Sequence, residues 1–186
     1  MVFLLCLLPL LLLVVAGLND GLGPDPAQVL VRELGQWALR LLLLVLALNP
    51  LIKLAGLRSL AQYRRMLGLF TCFYAVLHFL GYVVLVLGLH WQQLDEELLE
   101  RPYIVLGFGA LLALLPMAAT STRYWQRRLG RNWKRLHRLV YPAAVLALLH
   151  LLWQVRSDYG EFLLYALVFA VLMLLRARVF QRLVEQ

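Results

Sequence analysis

The chain has 186 residues, of which 63% are hydrophobic and only 15% charged, and its mean hydropathy is +0.79. Soluble domains contain about 45–50% apolar residues, so the composition excludes an ordinary soluble domain and indicates a polytopic membrane protein. The net charge of +8 would suit nucleic-acid binding in a soluble protein, but in a membrane chain the positions of the charges decide their meaning.

Six apolar stretches predict an all-α bundle of six transmembrane helices, forming one domain over residues 1–186. The predicted spans are residues 2–18, 34–54, 66–89, 102–119, 139–155 and 162–175. The first stretch lacks a basic N-terminal region, which favours a span over a signal peptide. Residues 19–32 are predicted to form a loop because Gly, Pro and Asp cluster there. No internal repeat is evident.

Basic residues are concentrated on one side of this topology. The connections after the second and fourth spans, together with the tail, hold fourteen of the eighteen Lys and Arg residues. By the positive-inside rule these segments are cytoplasmic. Nine of the ten acidic residues lie on or near the other side. Both termini are therefore expected in the cytoplasm, and the charge indicates topology and contact with membrane lipids rather than nucleic-acid binding.

Two histidines lie within apolar spans, and ionisable side chains there are costly and indicate a functional site. His78 follows the last cytoplasmic charge before its span by thirteen residues, and His150 by twelve. At 1.5 Å per residue, both rings lie about 18–20 Å from the cytoplasmic face. We therefore expect the two imidazoles to face each other and to ligate one haem iron, with Gly81 opening a gap for the macrocycle. The alternative is that each imidazole only hydrogen-bonds a neighbouring carbonyl.

Three further residues are candidate cofactor contacts. Arg40 lies within the second span with no acid nearby in sequence; a haem propionate could satisfy it, or it could extend toward the outer surface. His137 could ligate a second, inner haem, contact an anionic cofactor beside Arg65, or lie at the surface. Arg65 occupies the matching position of the third span, so a second bis-histidine haem lacks an evident partner ligand. Pro142 predicts a helix that is kinked or only begins there.

An ordered set of motifs carries a family resemblance. The motifs are GLGPDP (residues 21–26), RRMLGL (64–69), the Leu77–His78 pair, RPY (101–103), TST (120–122) and LGRNWKRLHRLVY (129–141), followed by His150. On these motifs the chain resembles the MsrQ family, also called YedZ, within the ferric reductase-like transmembrane superfamily. The resemblance covers nearly the whole chain from Gly17 on, and His78, His137 and His150 match the family's histidines. The chain departs at its start, where a short basic lead is missing.

The resemblance implies a multi-pass b-type cytochrome of the bacterial inner membrane, a non-catalytic subunit that carries electrons. Its partner would be MsrP, a periplasmic molybdopterin enzyme that repairs oxidised methionines in proteins. The electron donor would be the quinone pool or a cytosolic flavin reductase, and family members are also associated with FMN. One haem b is expected, and a second stays open.

Two other functions stay open at this point. One is a ferric or other transmembrane reductase subunit, and the other is a non-redox transporter, which usually carries acids within its spans. The acidic residues 95–100 are predicted to form either a docking edge for the outer partner or an ordinary solvated loop.

Overall fold

The computed structural model describes residues 1–90, 101–155 and 159–184, with side chains in the last helix as far as Ala177. All regular structure in this part of the chain is helical, which confirms the predicted all-α class. The α-helices are α1 Val2–Leu18, α2 Pro26–Leu54, α3 Arg64–Gly81, α4 Pro102–Ala119, α5 Arg123–Leu129, α6 Arg131–Leu136, α7 Val140–Gln154 and α8 Gly160–Val184. A 3-10 helix at Arg58–Tyr63 precedes α3, a π-helical turn at Tyr82–Val86 follows it, and a 3-10 turn at His137–Leu139 precedes α7.

Five helical segments among the described residues are long and apolar enough to cross a membrane. They are Pro26–Leu54, Arg58–Val86, Pro102–Ala119, Arg131–Gln154 and Gly160–Ala177. The apolar α1 is shorter, at 17 residues. The chain is therefore a multi-pass membrane protein with a bundle of helices, as its composition predicts.

The loop before α2 is shorter than predicted. Pro26 occupies the first helical position, where its missing N–H costs no hydrogen bond. The Asp25 carboxylate caps the helix by accepting a hydrogen bond from the Gln28 N–H at 3.1 Å. The prediction of a loop is therefore wrong for residues 26–32, because the Asp-Pro pair that marks a turn is also a helix-start signal.

Pro142 lies in the first turn of α7, which begins at Val140 after the 3-10 turn. A proline there removes a backbone donor that has no partner within the helix in any case. The helical segment Arg131–Gln154 is thus interrupted by a 3-10 turn just before Pro142, so His137 and His150 do not lie on one regular α-helix.

Helix α2 forms the centre of the bundle and contacts α1, α3, α7 and α8. Four of its leucines lie in one buried cluster with residues from four other helices, and these members are Leu39, Leu42, Leu43, Leu46, Cys72, Leu114, Met117, Ala143, Ala144, Leu148 and Leu172. The two cysteines, Cys6 and Cys72, are free and buried, as expected of small core residues.

Tyr74 joins α1 to α3 and has a completely buried side chain. Its hydroxyl accepts a hydrogen bond from the Leu10 N–H at 3.2 Å and donates one to the Cys6 carbonyl at 2.7 Å. In a regular α-helix that N–H would donate to that carbonyl, so the hydroxyl bridges a turn of α1 beside Pro9. α1 therefore packs on the bundle through polar as well as apolar contacts.

Arg176 of α8 joins three helices at the end of the bundle where α2 ends. Pro50 has no N–H, so it cannot donate to the Leu46 carbonyl one turn earlier in α2. The Arg176 guanidinium donates to that carbonyl instead, through Nη2 at 2.6 Å and Nε at 3.2 Å. Its Nη1 donates to the Tyr141 hydroxyl of α7. A backbone acceptor left unpaired by proline is thus satisfied from another helix.

Candidate haem-binding site

His78 of α3 and His150 of α7 face each other within the bundle. Their ring centroids are 6.0 Å apart, and the ring planes are inclined by 80°. With metal–nitrogen bonds of about 2 Å and about 1.1 Å from each nitrogen to its ring centroid, two imidazoles on opposite sides of one iron have centroids about 6 Å apart. The structure therefore brings the two histidines to a separation that suits a shared metal.

Each imidazole is oriented by a backbone carbonyl of a neighbouring helix. His78 Nδ1 donates to the Val31 carbonyl of α2 at 2.8 Å, and His150 Nδ1 donates to the Tyr103 carbonyl of α4 at 2.6 Å. A carbonyl oxygen only accepts, so the proton is assigned to Nδ1 in both rings and Nε2 keeps its lone pair. The carbonyl contacts that were the alternative to ligation are present, and they leave one nitrogen of each ring available to a metal.

A glycine stands one helical turn after each of these carbonyls. A Cβ on Gly35 would lie 2.9 Å from both Nδ1 and Cε1 of His78, and a Cβ on Gly107 would lie 2.8 Å from Nδ1 of His150. Both distances are below 3.0 Å, closer than real Cβ atoms approach. The missing side chains therefore open the surfaces of α2 and α4 to the two rings.

These carbonyls and glycines were not predicted from the sequence, although an internal repeat marks them. His150, Gly107 and Tyr103 each follow His78, Gly35 and Val31 by the same 72 residues. The pattern LGxxALxxLL begins at Leu34 and again at Leu106. The prediction of no internal repeat is therefore wrong. The pair formed by α2 and α3 is repeated as the pair formed by α4 and α7, and the leucine-rich composition of both pairs hides the repeat.

The two imidazoles fit a haem better than a metal ion bound by protein alone. Among the described residues, no group of three or more His, Cys, Asp or Glu side chains could hold a metal ion. A structural zinc site needs four protein ligands, whereas haem iron takes four nitrogens from the porphyrin and needs only axial ligands from the protein. The Nε2 atoms of His78 and His150, which keep their lone pairs because each Nδ1 donates to a carbonyl, would supply such a pair.

Arg40 has protein partners. Its Nε donates to the Tyr165 hydroxyl at 2.9 Å, its Nη2 to the Gln36 side-chain oxygen at 2.7 Å, and its Nη1 lies 3.8 Å from Glu33. Gln36 in turn donates to Glu161 at 2.6 Å. The expectation of a propionate contact depended on the lack of an acid near Arg40, and the structure supplies two acids. The residue belongs to a polar network that joins α2 to α8, and its contact with a propionate stays a prediction.

His137 and Arg65 are not part of the imidazole pair. His137 Nε2 lies 3.4 Å from the Thr120 hydroxyl, and its ring stacks on Trp133 with centroids 4.0 Å apart. The Arg65 side chain is exposed and makes no hydrogen bond or ion pair within the described part of the chain. Of the five predicted site residues, only His78 and His150 come together.

Two other expectations concern Gly81 and the acidic residues 95–100. A Cβ on Gly81 would meet the Val31 side chain at 3.2 Å, so this glycine allows α3 to approach α2 and does not open a gap for a macrocycle. The acidic residues 95–100 lie outside the described residues, so their docking role stays a prediction.

Comparisons with known proteins agree with the geometry. Residues 34–148 match the family described as "Ferric reductase like transmembrane component". A protein of Xanthomonas axonopodis pv. citri named "Protein-methionine-sulfoxide reductase heme-binding subunit MsrQ" is 51% identical over 155 residues, covering 83% of this chain and 71% of the relative. A protein of the same name from Xanthomonas oryzae pv. oryzae is 50% identical over 159 residues, covering 86% and 73%. No solved structure matches the chain.

Proposed function

Because the chain belongs to the MsrQ family of ferric reductase-like transmembrane components, we propose that it is the haem-binding membrane subunit of a bacterial protein-methionine-sulfoxide reductase system. It crosses the inner membrane six times, with the apolar α1 as its first span and both termini in the cytoplasm. The five long apolar helices and the contact of α1 with Tyr74 support this count. The distribution of Lys and Arg supports the orientation.

The facing pair of His78 and His150 is the observation that carries the proposal. A haem b held between them supplies a centre that accepts and releases one electron at a time. The two histidines would hold the haem through Nε2, while the carbonyls of Val31 and Tyr103 hold the proton on Nδ1 and fix the ring orientations. The surrounding apolar helices exclude water from the site.

Electrons enter from the basic side, from quinol in the membrane or from a cytosolic flavin reductase. The short helices α5 and α6 and the turn after them expose seven cationic side chains there: Arg123, Arg127, Arg128, Arg131, Lys134, Arg135 and Arg138. Such a surface favours an anionic partner, whether an acidic donor protein or the phosphate of FMN. On the outer side, the acceptor is the periplasmic molybdopterin reductase MsrP.

One haem per chain is the number that the imidazole pair accommodates. A second, inner haem would require His137 as a ligand, and its observed neighbours Thr120 and Trp133 are not haem ligands. Measurement of haem and protein in the same purified sample separates the two cases. One haem per chain would leave His137 outside the ligand set, and two haems would make it a candidate ligand of an inner haem.

Replacement of the two histidines tests the proposal. His78→Ala and His150→Ala should each abolish the Soret band and the spectral change on dithionite reduction in the purified chain. His90→Ala is the matched control, because His90 is an exposed residue whose Nδ1 bonds the Leu87 carbonyl outside the helix pair. Normal haem in either buried-histidine variant would remove that residue from the ligand set. A colourless unaltered chain would favour the transporter alternative.

A further inference from the structure

We propose that Gly35 and Gly107 are matched positioning residues that set the strength of the Nδ1–H···O=C bonds of His78 and His150, and thereby the reduction potential that a haem held by these histidines would have. The inference rests on the proposed haem function and adds a role for residues outside the ligand set. It follows from the repeated helix pair, from the contacts of each glycine, and from the chemistry of the carbonyl hydrogen bond.

The two copies present the same arrangement at the site. In each copy the histidine bonds a carbonyl that lies 47 residues earlier in the chain. The glycine in contact with the ring stands four residues after that carbonyl, at Gly35 in one copy and Gly107 in the other. The copies differ elsewhere, since Arg40 and Gln36 of the polar network correspond to Leu112 and Phe108. The residues that touch the imidazoles thus keep the same arrangement in both copies, although the copies differ elsewhere.

A methyl group at either glycine must displace the imidazole. The Cβ would lie 2.9 Å from His78 ring atoms or 2.8 Å from His150 Nδ1, whereas ordinary contact begins at 3.4 Å. The ring is rigid, so relief requires a shift of about half an ångström in the ring or in the helix that carries it. Both Nδ1–O bonds are short, at 2.8 and 2.6 Å, and such a shift lengthens them.

A weaker hydrogen bond at Nδ1 would change the reduction potential of the iron that the same imidazole binds. A carbonyl that accepts the Nδ1 proton raises the basicity of Nε2, and a more basic ligand favours ferric over ferrous iron. Lengthening the bond therefore raises the reduction potential. Loss of most of one neutral hydrogen bond changes the ferric-to-ferrous ratio by up to about tenfold, which is about 59 mV for a one-electron couple.

The chain offers two matched controls. Gly109 lies on α4 two residues after Gly107, and its Cβ would meet only the Leu146 side chain at an ordinary 3.5 Å. Gly68 lies on α3, the helix that carries His78, and has nothing within 4 Å of its Cβ position. Gly109→Ala and Gly68→Ala therefore add the same methyl group to a helix of the bundle without contact with either imidazole.

The test is a redox titration of the purified full chain, followed by haem absorbance. Gly35→Ala and Gly107→Ala should each raise the potential by a similar amount, whereas Gly109→Ala and Gly68→Ala should leave it unchanged. A folded glycine variant that loses haem while its control keeps it also supports the proposal, as the extreme case of a displaced ligand. Circular dichroism shows whether that variant is folded.

Three results would overturn the inference. They are an unchanged potential in both Gly35→Ala and Gly107→Ala, an equal shift in the controls, and failure of both variants to fold while the controls fold. The last result would make the glycines packing residues only. Each of these results is distinct from failure of the proposed function, which would show as absence of haem from the unaltered chain.

Discussion

Replacement of Arg176 by methionine should destabilise the bundle, because the Leu46 carbonyl would lose its donor. Methionine keeps the apolar part of the side chain but removes the hydrogen bonds to Leu46 and Tyr141. A buried acceptor without a partner costs about 1–3 kcal/mol, and the Leu46 side chain at this point is completely buried. For a chain of this size, a loss of about 2 kcal/mol lowers the Tm by about 4–8 °C.

Pro50 provides the control for this prediction. In a Pro50→Ala background the backbone at position 50 regains an N–H that can donate to the Leu46 carbonyl. Arg176→Met should then cost much less than it does in the unaltered chain. Thermal unfolding of the detergent-solubilised chain, followed by tryptophan fluorescence, measures both differences. Equal losses in the two backgrounds, or no loss in the unaltered one, would refute the assignment of Arg176 as the substitute donor.

Two further replacements test other parts of the structure. Tyr74→Phe removes the hydroxyl that bridges two backbone groups of α1. The same unfolding assay should show that the free energy of unfolding falls by about 1–3 kcal/mol. An unchanged Tm would mean that the Leu10 N–H and the Cys6 carbonyl bond each other directly in the variant. His137→Ala should slow reduction from the basic side of the bundle, where α5 and α6 lie, while keeping the haem at the imidazole pair, as measured by stopped-flow absorbance. Complete loss of haem would place His137 in that site.

The meeting of His78 and His150 was predictable from the sequence because each lies at a similar distance from the last basic residue before its span. In a membrane bundle, depth follows directly from residue count, since the helix rise is fixed. The all-α class follows from the same constraint, because each backbone polar group within the bilayer must be satisfied inside the chain.

The partners of polar side chains were not predictable in the same way. Arg40 donates a hydrogen bond to the hydroxyl of Tyr165, which lies 125 residues later in the chain. Such contacts depend on which helices become neighbours, and leucine-rich faces do not specify that choice. The same uniformity hid the repeat that relates Gly35 to Gly107, because both of the helices that carry these glycines are rich in leucine.

Electron paramagnetic resonance of the oxidised, purified chain tests most directly whether His78 and His150 share one iron. Two imidazole ligands make ferric haem low-spin, and ring planes inclined by 80° favour the strongly anisotropic form of that signal over the form given by parallel rings. We predict this anisotropic signal in the unaltered chain and in His90→Ala, and its loss in His78→Ala and His150→Ala. A purely high-spin signal in the unaltered chain, or an anisotropic signal that survives both replacements, would contradict the account.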